Sequence, residues 1–124
     1  MQDIQLGVIE ARFADIIWEN EPVSSSELVR LCAEEFGWKR STTFTVLKRL
    51  CCKGLFQNEK GVVSSLVSRE GYFSLRSRSV VAESFGGSLP AFIAAFAKNR
   101  RFSKTELDEV QRMIDSFREG EGNG

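Results

Sequence analysis

The sequence contains no histidine, and this absence excludes several kinds of catalytic site. Of 124 residues none is His, three are Cys and two are Pro. Histidine is the commonest general base near neutral pH, it activates serine and cysteine nucleophiles, and it is a frequent metal ligand. A glycine-rich phosphate loop is missing too, because Gly86 and Gly87 are not followed by Gly-Lys-Ser/Thr. We therefore predict no catalytic residues and no enzyme.

Long apolar runs are also missing from the sequence. No stretch approaches the roughly 20 apolar residues that span a bilayer, and the N-terminus lacks the basic and then apolar pattern of a secretory signal. The composition, 42% hydrophobic and 27% charged, is typical of a soluble globular protein. We expect a cytoplasmic protein that does not insert into membranes.

The three cysteines, Cys32, Cys51 and Cys52, do not form a metal-binding or disulfide pattern. Neighbouring cysteines can close only a strained ring, so reduced thiols are expected. A thiolate metal site would need a CxxC or CxC spacing, which the sequence lacks. We predict no metal ligands and no cofactor. A thiol-based redox or metal sensor that uses Cys51 and Cys52 as its switch stays open as an alternative.

The formal charges cancel, but they are segregated along the chain. Residues 1–37 hold eight acidic and two basic side chains, whereas residues 39–60 hold six basic ones and a single acid. From Lys39 to Lys53 there are five cations and no carboxylate. Phosphate responds to such a local patch rather than to the total charge, so this segment is a candidate nucleic-acid surface.

The hydrophobic periodicity predicts three helices followed by a hairpin. The first helix ends before Pro22, and the second begins with the capping-box pair Ser24 and Glu27 and stops at Gly37. The third spans about residues 41–52. Its inner stripe is Thr43, Val46, Leu47 and Leu50, and the inner face of the first helix is Leu6, Ile9, Phe13, Ile16 and Ile17.

Two β-branched runs around the turn at residues 58–61 then predict a β-hairpin. The predicted fold is mostly α with a small β-hairpin wing, a winged helix-turn-helix over residues 1–68. With the stripe of the third helix facing the core, its other side points outward. The predicted base contacts are Ser41, Thr42, Phe44 and Thr45, and the predicted phosphate contacts are Arg40, Lys48, Arg49, Lys53 and Lys60. Two alternatives stay open: core packing for Phe44, and an ion pair between Arg49 and an acid of the first helix.

The second half of the sequence predicts helices over residues 69–119 and a disordered tail over residues 120–124. Ser103 and Glu106 have capping-box spacing at the start of the last helix. Short helices with one apolar face must bury that face, so this helical dimerisation region is expected to form a homodimer. The alternative is packing against the first half of the same chain. The predicted interface is Phe92, Ile93, Phe96, Val110, Ile114 and Phe117.

From about Leu6 to Phe117 the chain resembles the penicillinase and methicillin-resistance repressors. The stretch Ile16-Ile17-Trp18 matches the first helix of that family. The family pattern of Trp, Thr-x-x-Thr and Arg-Leu-x-x-Lys-Gly is present as Trp38, Thr42, Thr45, Arg49, Leu50, Lys53 and Gly54. The resemblance implies a homodimeric repressor on palindromic operators of double-stranded DNA, released through a membrane sensor-protease.

The chain departs from this family in its cleavage site, in its C-terminal cysteines and at Phe44, where the family often has Arg or Tyr. The antibiotic-resistance repressors carry an Asn-Phe cleavage bond in the second-last helix, where this chain has Ala95-Phe96. The copper-responsive members carry a C-terminal cysteine cluster, which this sequence lacks. One further alternative to a repressor is a winged-helix module for protein–protein assembly, which would show no salt-sensitive affinity for DNA.

Overall fold

A computed structural model of the chain describes residues 4–122, with side chains described up to residue 120. Within this range the chain forms six helices and three short strands, and the helices and the hairpin follow each other in the predicted order. They are α1 (Val8–Asn20), β1 (Val23–Ser24), α2 (Ser25–Phe36), α3 (Arg40–Cys52), β2 (Phe56–Glu59), β3 (Val62–Ser65), α4 (Arg69–Ser84), α5 (Leu89–Ala97) and α6 (Lys104–Gly122). The fold is mostly helical with a small antiparallel sheet, which confirms the predicted winged helix-turn-helix.

The wing is a three-stranded antiparallel sheet with the strand order β1-β3-β2. Strands β2 and β3 form the predicted hairpin, with Phe56 opposite Ser65. Its turn has positive φ at Lys60 (53°) and Gly61 (84°), and the Gly61 N–H donates to the Asn58 side chain at 3.1 Å. Strand β1 was not predicted, because two residues show no period and only pairing with β3 defines them.

The helix boundaries follow the predicted signals. The Ser24 hydroxyl accepts a hydrogen bond from the Glu27 N–H at 3.1 Å, so Ser24 is the N-cap of α2. Gly37 ends that helix with φ of 70°, a left-handed conformation that favours glycine. Helix α3 begins one residue earlier than predicted, at Arg40, and its N-cap Lys39 provides no side-chain cap.

The core lies between α1, α2, α3 and the wing. All four residues of the predicted α3 stripe are buried, and Phe13 and Ile17 of α1 are fully buried beside them. Ile9 is different: it is 49% exposed, because it lies in the first turn of α1, away from the turns that pack on α2 and β3. Leu6 precedes the helix and is only partly buried. The buried hydrophobic residues are Phe13, Ala14, Ile17, Val23, Leu28, Cys32, Val46, Leu47, Leu50, Leu55, Phe56, Val63 and Tyr72.

Aromatic contacts extend this core into α4. The Trp18 ring lies 5.3 Å from the Phe56 ring and 5.7 Å from the Tyr72 ring, between centroids. The Tyr72 hydroxyl donates to the Ile4 carbonyl oxygen at 2.9 Å. On the other side of the core, the Trp38 ring stacks on Phe36 at 4.4 Å. The first part of α4 is therefore part of the winged-helix core.

The chain divides into two compact units, residues 1–80 and 81–124. The division falls inside α4, and Tyr72 in the first part of that helix packs into the first unit. At the other end, α6 continues through Gly122, into the segment predicted to be disordered. Extending an existing helix adds a hydrogen bond per ordered residue, so a single glycine need not end it. Residues 123 and 124 of that predicted tail lie outside the described residues.

In the second unit, α5 and α6 begin with serine caps and expose apolar side chains. Ser88 accepts a hydrogen bond from the Ala91 N–H and Ser103 from the Glu106 N–H, at 3.1 and 3.0 Å. Ring centroids lie 5.6 Å apart between Phe85 and Phe92. The exposed apolar residues of these helices are Leu89, Ile93, Phe96, Leu107, Val110, Met113, Ile114 and Phe117.

No single helix among residues 4–122 is long and apolar enough to cross a membrane.

Candidate nucleic-acid interface

The outward face of α3 combines small hydroxyl side chains with a lysine. Ser41, Thr45 and Lys48 are exposed, on the side of the helix opposite the buried stripe; we call these three residues the α3 outer face. The Thr45 hydroxyl donates to the Ser41 carbonyl oxygen at 2.9 Å, which fixes its direction. Thr45 as a whole is exposed, and its side chain carries a methyl group and an oxygen that can also accept a hydrogen bond. These are groups that contact base edges in a major groove.

The N-terminus of α3 is electropositive. The first four N–H groups of a helix lack intrahelical partners and carry a partial positive charge. Here no side chain caps that end, and its first turn contains no acid. Arg40 and Thr42 are both exposed in this turn. The arrangement favours an anion such as a backbone phosphate beside the α3 outer face.

Phe44 lies at the edge of the α3 outer face rather than at its centre. It is partly buried and packs against the hydrophobic core, and the Arg40 guanidinium lies over its ring at 4.9 Å. With Lys48, Cys51 and Asn58 it lines a shallow depression between α3 and β2. The structure therefore supports the alternative of core packing for Phe44, which leaves only part of the ring for a thymine methyl.

The five predicted phosphate contacts fall into two groups. Lys48 and Arg40 on α3 and Lys60 in the wing turn are exposed, and none of them has an ion-pair partner within residues 4–122. Arg49, in the last turn of α3, and Lys53, its C-cap, contact the first turn of α1 and the segment before it. Arg49 Nη1 lies 3.2 Å from Glu10 Oε2, and Lys53 Nζ donates to the Gln5 carbonyl oxygen at 2.8 Å. The second group thus has partners within its own chain.

Glu10 was not among the site residues predicted from the sequence. The sequence analysis left open only that some acid of the first helix pairs with Arg49, and the structure identifies that acid as Glu10. Burial alone would raise the pKa of Glu10, but hydrogen bonds from Gly7 and Arg49 and the charges of Lys53 and Arg49 outweigh it. The pKa of Glu10 is therefore lowered, and the carboxylate is ionised at neutral pH.

Several other acids of residues 4–36 contact groups outside α3. Glu27 and Glu34 both pair with Arg30 on α2, and Glu35 pairs with Arg12. Glu21 accepts hydrogen bonds from Ser65 in the wing. The charge segregation of the sequence is thus preserved in space: these acids contact α1, α2 and the wing, whereas the cations of α3 remain on its surface.

The cysteines show little sign of a thiol switch. None forms a disulfide. Burial raises the pKa of Cys32 to about 11, despite a hydrogen bond with Thr43, and burial followed by the charge of Cys52 raises the pKa of Cys51. A raised pKa keeps a cysteine in the less reactive thiol form. Within the described residues, no group of three or more Cys, Asp or Glu side chains could hold a metal ion.

The predicted dimer residues are assembled on the two helices of the second unit. Ile93, Phe96, Val110, Ile114 and Phe117 are exposed, with 67% exposure for Phe117. The sixth, Phe92, is partly buried between Phe85 and Phe96. Such a large apolar surface is typical of an interaction site.

Comparison with known proteins identifies the family of this chain. The family described as "Penicillinase repressor" matches residues 6–116. The penicillinase repressor of Bacillus licheniformis is 21% identical over 118 residues, which cover 92% of this chain and 92% of that protein. The penicillinase repressor of Staphylococcus aureus is 20% identical over 120 residues, covering 94% and 95%. Since the family match extends over most of the sequence and through both units, the chain belongs to the penicillinase repressor family.

Proposed function

We propose that the chain is a transcriptional repressor that binds double-stranded DNA as a homodimer on palindromic operators. The observation that carries this proposal is the α3 outer face, which lies opposite a buried stripe on the same helix. A helix presented in this way fits a major groove, with Thr42 and Thr45 near base edges and Lys48 near phosphate. Membership of a repressor family supports it independently.

The wing supplies a second point of contact in this proposal. Lys60 lies in the exposed turn between β2 and β3, where it would reach the DNA backbone or a minor groove. Arg40 and Lys48 would contact phosphates beside the groove. Arg49 and Lys53 would also contact phosphates, with those of their N–H groups that Glu10 and the Gln5 carbonyl oxygen do not occupy.

The homodimer is supported by the apolar surface of α5 and α6. Phe96, Val110 and Ile114 are exposed in the single chain, and water contact with such a surface is unfavourable. A second copy of the chain offers the same surface, so a two-fold symmetric interface would bury both. Two linked DNA-binding units would then match the two halves of a palindrome.

A membrane sensor-protease belongs to the proposal only through the resemblance to the antibiotic-resistance repressors. Their Asn-Phe cleavage bond corresponds to Ala95-Phe96, in the last turn of α5. The Phe96 ring stacks against Phe92 and Phe102 and lies under the Arg100 guanidinium. If the protease acts on this chain, it must accept Ala before the scissile bond.

The experiment that tests the repressor function is a binding titration of the intact protein against DNA fragments that flank its own gene, followed by protection mapping. We expect a protected palindrome, with affinity that falls steeply with salt concentration. A protein that protects no segment and shows no salt-sensitive affinity would instead be a protein–protein assembly module.

A further inference from the structure

Arg49 is attached to α1 by an ion pair that joins two distant parts of the chain. Its Nη1 lies 3.2 Å from Glu10 Oε2, across 39 positions of sequence. The two side chains differ in exposure: the Glu10 side chain is 19% exposed, whereas that of Arg49 is 54% exposed. The carboxylate is thus the sheltered end of the pair, and the guanidinium extends toward solvent.

Glu10 is held in place by its own helix start. The Gly7 N–H donates to Glu10 Oε1 at 3.2 Å, so that one carboxylate oxygen caps α1 while the other receives Arg49. The segment before α1 is held at two further points. Lys53 donates to the Gln5 carbonyl oxygen, and Tyr72 donates to the Ile4 carbonyl oxygen. Glu10 is therefore an anchored acceptor rather than a mobile surface acid.

Most of the hydrogen-bonding capacity of Arg49 remains available. A guanidinium has five N–H donors, arranged in a plane that matches phosphate oxygens. Within residues 4–122, Nη1 is the only nitrogen of this group with a partner. The ion pair therefore orients the guanidinium without occupying all of it.

We propose that Glu10 is a positioning residue for DNA binding, which holds the Arg49 guanidinium on the flank of α3 so that its remaining N–H groups meet a phosphate oxygen. This inference rests on the proposed function, since it requires that α3 lies in a groove. In the complex, the Arg49 guanidinium would lie between the Glu10 carboxylate and a DNA phosphate. Charge-assisted hydrogen bonds to both groups would fix its position.

Two effects of Glu10 oppose each other. Its negative charge reduces the long-range attraction of Arg49 for DNA, which would make Glu10 a competitor of phosphate. Its hydrogen bond restricts the side-chain rotamers of Arg49 before DNA arrives, and ordering a side chain at an interface otherwise weakens binding. The second effect dominates in this proposal, because Glu10 is sheltered and anchored while Arg49 remains exposed.

The test is a double-mutant cycle in the full-length chain, read as DNA affinity at several salt concentrations. We expect Glu10→Ala to weaken binding roughly three- to tenfold, the effect of leaving one long side chain unordered. We expect Arg49→Ala to lower the slope of log affinity against log salt by about 1. In the Arg49→Ala background, Glu10→Ala should cause no further loss of affinity, since the group that it positions is absent.

Control variants distinguish a loss of Arg49 positioning from a general loss of stability. Glu35→Ala breaks the Arg12–Glu35 pair, which also joins two helices, and should leave DNA affinity unchanged. If Glu10→Ala does not fold, Glu10→Gln replaces it, because its amide oxygen can still accept the hydrogen bond from Gly7. This variant is compared in the wild-type and Arg49→Ala backgrounds, and we expect a smaller loss of DNA affinity. The inference is overturned if either Glu10 variant binds as tightly as the wild type or more tightly, or loses the same affinity without Arg49.

Failure of this inference is distinguishable from failure of the proposed function. If Lys48→Ala lowers the salt slope while Arg49→Ala does not, the chain is a DNA-binding protein and Arg49 is no phosphate contact. If the wild-type protein has no salt-sensitive affinity for duplex DNA at all, the proposed function fails first and Glu10 has nothing to position.

Discussion

The indole N–H of Trp18 donates a hydrogen bond to the main-chain carbonyl oxygen of Val67 at 3.0 Å. This bond joins α1 to the segment between β3 and α4, across 49 positions of sequence. It orients the ring that packs on Phe56 and Tyr72. Trp18 therefore contacts both the wing and the first part of α4 from within α1.

Trp18→Phe should destabilise the first unit by about 1–3 kcal/mol, the cost of leaving a partly buried carbonyl group without its donor. Chemical denaturation followed by far-ultraviolet circular dichroism measures this difference. Trp38→Phe is the matched control, because the Trp38 indole makes no hydrogen bond within the described part of the chain. Equal losses in both variants would mean that ring packing, and not the bond to Val67, accounts for the effect.

Lys48→Ala should weaken binding to every duplex alike and reduce the slope of log affinity against log salt by about 1, since one phosphate contact is lost. Anisotropy titrations over a series of salt concentrations give the slope. Arg30→Ala is the control, because Arg30 is an exposed cation whose partners, Glu27 and Glu34, lie on α2. An unchanged slope for Lys48→Ala would remove α3 from the proposed phosphate-binding surface.

Thr45→Ala should reduce affinity more for the operator than for random DNA, because a base contact carries sequence preference and a phosphate contact does not. The expected loss on the operator is about 1–3 kcal/mol. Thr105→Ala replaces an exposed threonine at the start of α6 and serves as the control. Equal losses on both DNAs would assign Thr45 to backbone contact or to helix structure.

A chain that stops after Ser84 should fold, remain monomeric and bind a half-site weakly. Among the described residues, every buried core side chain precedes this stop, whereas α5 and α6 are removed. Loss of the link between two DNA-binding units lowers overall affinity by roughly 10²–10⁴. Sedimentation and DNA titration of the truncated chain test this. A truncated chain that still dimerises and binds a full palindrome tightly would show that the second unit is not the dimer interface.

Alkylation near neutral pH should modify Cys52 before Cys51 and leave Cys32 largely unmodified in the folded protein. Cys52 is exposed, whereas Cys32 is buried and burial raises its pKa to about 11, so that its thiolate is scarce. Peptide mass spectrometry over time measures the order, and urea-unfolded protein is the control in which all three react. Rapid oxidation of Cys51 that abolishes DNA binding would instead support the thiol sensor.

The sequence predicts the helices of the first unit well because their signals are local. The stripe from Thr43 to Leu50 recurs at helical spacing, and Ser24 and Gly37 mark boundaries that the structure confirms. Features that no local pattern indicates depend on tertiary contacts. Strand β1 exists only through its pairing with β3, and the first part of α4 belongs to the first unit because Tyr72 packs beside Trp18. No local pattern contains that information.

In the candidate site, too, some features follow from local sequence and others depend on tertiary contacts. Exposure of Ser41, Thr45 and Lys48 follows directly from the period of α3. That Glu10 in particular pairs with Arg49 does not, because this contact joins residues 39 positions apart and depends on the tertiary fold. The residue-by-residue prediction of DNA contacts and of the dimer interface stays a prediction, to be tested by the variants above.

The aromatic core of the first unit has a spectroscopic consequence. Both tryptophans of the chain, Trp18 and Trp38, and its single tyrosine, Tyr72, lie in the first unit, and the second unit contains phenylalanine as its only aromatic residue type. Intrinsic emission excited at tryptophan wavelengths therefore reports on the winged-helix unit alone. Unfolding of α5 and α6 would leave the tryptophan fluorescence unchanged but would reduce the helical signal in far-ultraviolet circular dichroism. A mismatch between the two transitions would reveal, without any label, that the units unfold separately.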